Sequence, residues 1–216
     1  MLKQTSSPIL LSAKLISCLI PDVAPIIETL GEPSKEEGGL SFPVQNTPFK
    51  RLTAGYELKK YFLGRIYHLV LEGRLAILAP VAFSGTMKLN YSGLLRKGAP
   101  FFTFKDPHGV KTPGRGLVRM VNDDQGLREE CLRLDLEFLE VHFDPLAGWA
   151  RVRISPYGGS LIHVFLPPLN YHVKLMQEQT MLLLSVMQRL GQLCYRFIKK
   201  GRPGTERPFA DGQEVR

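Results

Sequence analysis

The stretch that comes closest to a chemical motif is Gly109-Val110-Lys111-Thr112-Pro113-Gly114-Arg115-Gly116. Two of its glycines are separated by four residues, as in a loop that wraps phosphate with backbone N–H groups. The pattern then departs. Arg115 stands where a lysine would reach the phosphate, and Gly116 stands where a hydroxyl would reach a metal ion. The following Leu117 to Val121 reads as a strand, whereas a bound phosphate needs a helix N-terminus. The stretch is expected to be a basic, glycine-rich loop that meets an anion through Lys111 and Arg115.

Other reactive residue types lack partners at useful spacing. His68, His108, His142, His163 and His172 show no metal-ligand spacing and no neighbouring cysteine pair, so no metal and no cofactor is implied. Ser92, Ser155 and Ser160 lack the GxSxG elbow of a hydrolase nucleophile. The acidic run from Asp123 to Glu140 falls on the polar side of an amphipathic helix and reads as a solvated face. Nothing here reads as an enzyme active site.

Cys18, Cys131 and Cys194 are sparse, odd in number and embedded in apolar sequence, which fits buried thiols in a reducing compartment, the cytoplasm. Leu15-Ile16-Ser17-Cys18 resembles the box before a lipoprotein cysteine, but Lys14 breaks the uncharged run that such a signal needs. No apolar run approaches the ~20 residues of a membrane-spanning helix.

The net charge of +8 is unevenly spread. Residues 50–120 carry thirteen basic against three acidic side chains, net +10, and residues 121–144 carry two against eight, net −6. Such a local field acts at short range, where screening is incomplete.

The elements that must position these residues follow from periodicity. Leu11, Leu15 and Leu19 share one helical face; Pro21 is expected to stop that helix and Pro25 to open a separate short element. Glu32 to Gly39 reads as a linker. From Tyr56 the pattern is strand-like, with a hairpin expected at Glu72-Gly73-Arg74 between two apolar runs. A helix capped around Asn122 passes into a strand near Glu137, where Leu139, Val141 and Phe143 alternate with polar residues. Ala150, Val152 and Ile154 alternate with Arg151 and Arg153, a strand with one cationic face. The stripe Leu183, Met187, Leu190, Cys194 and Ile198 marks a long amphipathic helix from about Tyr171.

The expected fold is α+β: an antiparallel β-sheet with an inserted acidic helix and a long C-terminal helix packed on one face. Residues 1–39 form an N-terminal helical segment and linker, 40–200 the domain and 201–216 a disordered tail. Ile66 to Leu71 and Leu161 to Leu166 are apolar on both faces, so each needs cover on both.

Three functions fit. The first is a binding domain whose cationic surface, with Lys111, Arg115, Arg151 and Arg153 as contacts, meets an anionic partner. An acidic protein or an anionic lipid surface suits it better than nucleic acid, because no docking motif is present. The second is an apolar-ligand carrier or enzyme with a pocket between the C-terminal helix and the sheet, lined by Leu69, Leu71, Val164, Leu183 and Met187. The third is a structural homo-oligomeric subunit that buries the second apolar face.

Overall fold

The computed structural model describes residues 13–36, 38–45, 47–77, 84–92, 98–106 and 113–200. Helix α1 (Ala13–Leu30) leads into β1 (Ser34–Glu36), β2 (Gly39–Phe42), β3 (Arg51–Tyr61), β4 (Gly64–Ala76), β5 (Gly85–Tyr91) and β6 (Pro100–Lys105). Helices α2 (Pro113–Asn122) and α3 (Gln125–Arg133) follow, then β7 (Leu136–Asp144), β8 (Trp149–Pro156), β9 (Leu161–Val164), β10 (Leu169–His172) and α4 (Gln177–Lys200). The class is α+β, as the periodicity predicts: these strands pair into one antiparallel sheet, and α4 is the longest helix.

The sheet runs β1-β2-β3-β4-β8-β7-β5-β6, with the β9–β10 hairpin attached to β4. Strand β4 is the hinge of this topology. Its first half, Gly64 to Tyr67, pairs with β9, and its second half, Leu71 to Ala76, pairs with β8. The sheet therefore forks along β4. One branch leads to the main body and the other to a four-stranded end made of β3, β4, β9 and β10.

One face is the core. Leu52, Leu69, Leu71, Leu75, Val141, Val152 and Ile154 point into it and are almost fully buried. From the other side come Leu183, Val186, Met187, Leu190 and Cys194 of α4, at helical spacing, with Leu19, Val23 and Ile26 of α1. Burial pushes the Cys194 thiol up to about 12, which keeps it an uncharged, inert packing group.

Several local expectations are corrected by tertiary packing. Glu72-Gly73-Arg74 is not a hairpin but part of the second half of β4; the turn lies earlier, at Phe62-Leu63. Gly73 is there because a side chain would not fit: a Cβ would sit 2.5 Å from the Phe49 ring. Leu117 to Val121 is helix α2 rather than strand, with Leu117 and Val121 buried one turn apart. Asn122 does not cap the acidic helix. It ends α2 and brackets β6, accepting from Phe102 N at 2.7 Å and donating to Phe102 O at 3.1 Å. Asp124 caps α3 instead, accepting from Leu127 N at 2.9 Å.

Pro21 and Pro25 both lie inside α1, which continues through them. Each proline costs a main-chain hydrogen bond, and the burial of Leu19, Val23, Pro25 and Ile26 on one stripe offsets it. The expected linker contains strand β1, which hairpins onto β2. The C-terminal helix begins at Gln177, because Tyr171 and its neighbours are taken by β10 in the hairpin with β9.

Candidate functional site

The forked end of the sheet positions a pocket. Register places Tyr67, Leu161 and His172 in one cross-strand row and Arg65, His163 and Asn170 in the next, all on the α1 side. Side chains two apart on a strand share a face, so these rows form a continuous floor. Lys14, Leu15 and Cys18 of α1 form the roof. The space between is about 360 Å³, within the range of small-ligand sites.

A buried carboxylate fixes the roof to the floor. Asp22 lies one turn after Cys18 on α1 and is almost fully buried. His172 Nε2 donates to Asp22 Oδ2 at 2.7 Å, and Leu175 N approaches Oδ1 at 3.4 Å. Thr180 Oγ1 of α4 donates to the Asp22 carbonyl at 3.0 Å. This carboxylate thus ties α1 to β10 and the approach to α4, and orients the His172 ring. Replacing Asp22 by alanine is expected to cost about 2 kcal/mol, the worth of hydrogen bonds to a charged acceptor. Chemical denaturation would measure it; a loss under about half that value would remove the tether.

The floor joins aromatic rings to a guanidinium. Tyr67 meets His163 edge to face at 5.4 Å, and the Arg65 guanidinium lies 5.7 Å from the Tyr67 centroid. Below it, burial first and then the nearby Asp22 carboxylate push the Tyr56 phenol above its ordinary range, so it stays protonated. His163 is held below the usual histidine range by desolvation first and then by Arg65 and Lys14, against an opposing hydrogen bond from Asn170. It is therefore neutral at pH 7.

The pocket's charge is one-sided. Lys14 and Arg65 line it, no Asp or Glu does, and neither cation pairs with a carboxylate among the described residues. Chemically, this is an apolar and aromatic space with two unmatched cations, a neutral imidazole and an amide at its edge. Among the described residues no three His, Cys, Asp or Glu side chains gather as a metal site.

Of the residues expected to contact an anion, Arg151 and Arg153 share one face of the sheet and Arg115 stands in the helical layer. Lys111 lies outside the described residues. Arg115 is exposed on α2, in the helical layer. The glycine next to it, Gly114, packs against the Phe104 ring, which a Cβ would approach to 2.6 Å. Arg151 and Arg153 lie across the sheet on its open face, in a half-buried ionic network. Arg153 contacts Glu57 and Glu140 at 2.9 Å and Glu72 at 3.7 Å, and Arg151 faces Glu72 at 3.6 Å. At the β9 side of the same face, Lys59 and His68 both meet Glu137. His68 is buried, and desolvation holds it below the usual range against the pull of Glu137.

This network lies on the second face of β4, where Val70 and His68 are buried. Val70 lines a cleft there with Glu57, Glu72 and Arg153. Leu69, Leu71, Leu183 and Met187 meet in the packed core between α4 and the sheet, and Val164 sits half-exposed at the end of β9. None of the five lines the pocket under α1.

The pocket residues Lys14, Arg65, Tyr67, His163 and His172 carry no motif in the sequence. One signal was present: no Asp or Glu occurs between Glu57 and Glu72 or between Asp144 and Glu178.

Residues 28–194 match the model of a family described as protein of unknown function (DUF3156). No curated protein and no solved structure matches the chain.

Proposed function

The chain belongs to the DUF3156 family, and we propose that it binds a small amphipathic anion in the pocket between α1 and the β4–β9–β10 end of the sheet. The observation that carries this reading is the pairing of Lys14 and Arg65, both without carboxylate partners, with an apolar and aromatic wall. Elsewhere on the sheet, Arg151 and Arg153 already face carboxylates. An incoming anion therefore meets uncompensated charge at the pocket. The tail would lie along Leu15, Cys18, Tyr67 and Leu161, and the head would face Arg65, Lys14 and His163.

Anilinonaphthalene sulfonate, an apolar ring system with a permanent negative charge, serves as the probe. Saturable fluorescence enhancement is expected. Arg65→Ala should weaken it about tenfold, the worth of one charge-assisted contact, and Cys18→Phe should block it by filling the space. No saturation, or unchanged binding in both variants, would overturn the reading.

The pH dependence has a defined sign. The groups facing His163 are Arg65, Lys14, Tyr67, Asn170 and the His172 that Asp22 holds. His163 is lowered from 6.5, so it gains its proton only on acidification below that value. Protonation adds a third cation beside the sulfonate. Affinity should therefore rise as pH falls below 6.5, and His163→Gln should flatten that rise.

A further inference from the structure

The geometry points to the paired turns at the forked end of the sheet as a docking tip for an anionic lipid bilayer. The turn between β3 and β4 presents Tyr61, Phe62 and Leu63, and the turn between β9 and β10 presents Phe165, Leu166 and Leu169. All six are exposed, Phe62 at 97% and Leu166 at 73%. The two turns are one structure: Gly64 pairs with Val164, and Phe165 N donates to Leu63 O at 2.9 Å. Scattered exposed apolar residues mean little, but a contiguous patch of large ones marks an interaction site.

Three features select a bilayer as the occupant. The first is shape. The patch is a pair of turns at strand ends, which can enter an interface, and not a groove or flat face that a helix or a second sheet would cover. The second is the backbone. Immersion in lipid costs most where N–H groups lack partners. Here Phe165 N is bonded across the turns, and Pro167 and Pro168 have no N–H to desolvate. The third is charge. Lys60, Arg65 and Lys14 are exposed around the base of the tip. No Asp or Glu occurs in β4 before Glu72, in β9, in β10 or in either turn. A basic collar behind an apolar and aromatic tip complements anionic headgroups over an acyl interior. Among the described residues no helix is long and apolar enough to cross a membrane, so this contact is peripheral.

The docking does not require the pocket to hold a ligand, though it goes further than that reading. Arg65 and Tyr67 follow the first turn, His163 precedes the second, and Asn170 follows it. The pocket thus lies directly behind the tip, where an amphipathic anion could pass from bilayer to protein without crossing water.

The test is co-sedimentation of the full chain with phosphatidylcholine vesicles, with and without phosphatidylglycerol. Binding to the anionic vesicles that weakens with salt is expected. Phe62→Ser with Leu166→Ser should lower it roughly a hundredfold, and Lys60→Ala about fivefold. Both substitutions lie on the surface and should leave the thermal unfolding and the sulfonate probe titration unchanged, which separates failure of this inference from failure of the pocket. Three results would overturn the docking: no sedimentation with anionic vesicles at low salt, equal binding by the double tip variant, or a patch that only drives concentration-dependent self-association abolished by those two substitutions.

Discussion

Phe49→Ala is expected to lower the stability of the chain by about 4 kcal/mol, within the range for deleting a buried aromatic ring. Phe49 precedes β3 and is almost fully buried. Its ring lies between two glycines from different layers. A Cβ on Gly73 of β4 would come within 2.5 Å of the ring, and one on Gly191 of α4 within 2.8 Å. The ring is thus the filler between strand and helix at this level. With glycine on both sides, neither facing position has a side chain to fill the void, so the cost lies near the upper end. The opposite change tests the same contact. Gly73→Ala pushes the ring toward Gly191 and should cost about 1–3 kcal/mol, as overpacking does. Urea unfolding followed by far-ultraviolet circular dichroism reads both. A Phe49→Ala loss below about 2 kcal/mol would mean that α4 settles onto β4, and would remove this account of why both positions are glycine.

Gly73 also shows what sequence can and cannot convey. Glu72-Gly73-Arg74 has the composition of a turn, and a glycine placed for close approach looks the same as one placed for a turn. Only Phe49, more than twenty residues away in the chain, distinguishes them. The same holds for Leu117 to Val121, where five residues fit either period, and the burial of Leu117 and Val121 one turn apart in α2 marks it as helix. Elements with sustained periodicity were legible. The α4 stripe and the alternation in β7 and β8 appear in the structure because each is long enough to bury one face throughout. The pocket was not legible. It joins Lys14 of α1, Arg65 of β4 and His163 of β9, and that meeting depends on the fork of β4, which no local pattern encodes. The stretches without Asp or Glu that flank its residues, 58–71 and 145–177, gain meaning only once the two turns are known to be neighbours. The apolar stretches Ile66 to Leu71 and Leu161 to Leu166 differ in what they meet: the second face of the first carries the ionic network around Val70, and the second leads into the exposed tip.

Arg153→Met is the second large effect, expected at about 3 kcal/mol, as for breaking a buried ion pair by removing one partner. The side chain is only 20% exposed, and the three carboxylates around it are less so. Methionine keeps much of the packing over the Phe138 ring, which the guanidinium approaches at 5.2 Å, so the loss isolates charge. The carboxylates do not suffer equally. Glu140 keeps Lys88 at 3.2 Å, and Glu72 keeps Arg74 at 3.0 Å and Arg151 at 3.6 Å. Among the described residues Arg153 is the cation that meets Glu57, so Glu57 is the group stranded by the change. Adding Glu57→Gln to Arg153→Met should therefore restore stability, by roughly half of what was lost, although Glu57→Gln alone should destabilise. Additive losses in that double-mutant cycle would refute the network, since independent sites add. Arg153→Lys should recover only part of the loss, because a single ammonium cannot present separate donors to three carboxylates in a plane. The network also bears on binding. By matching its cations internally, the open face of the sheet leaves Lys14, Lys60 and Arg65 at the forked end without carboxylate partners among the described residues, and an anion or an anionic surface is drawn there.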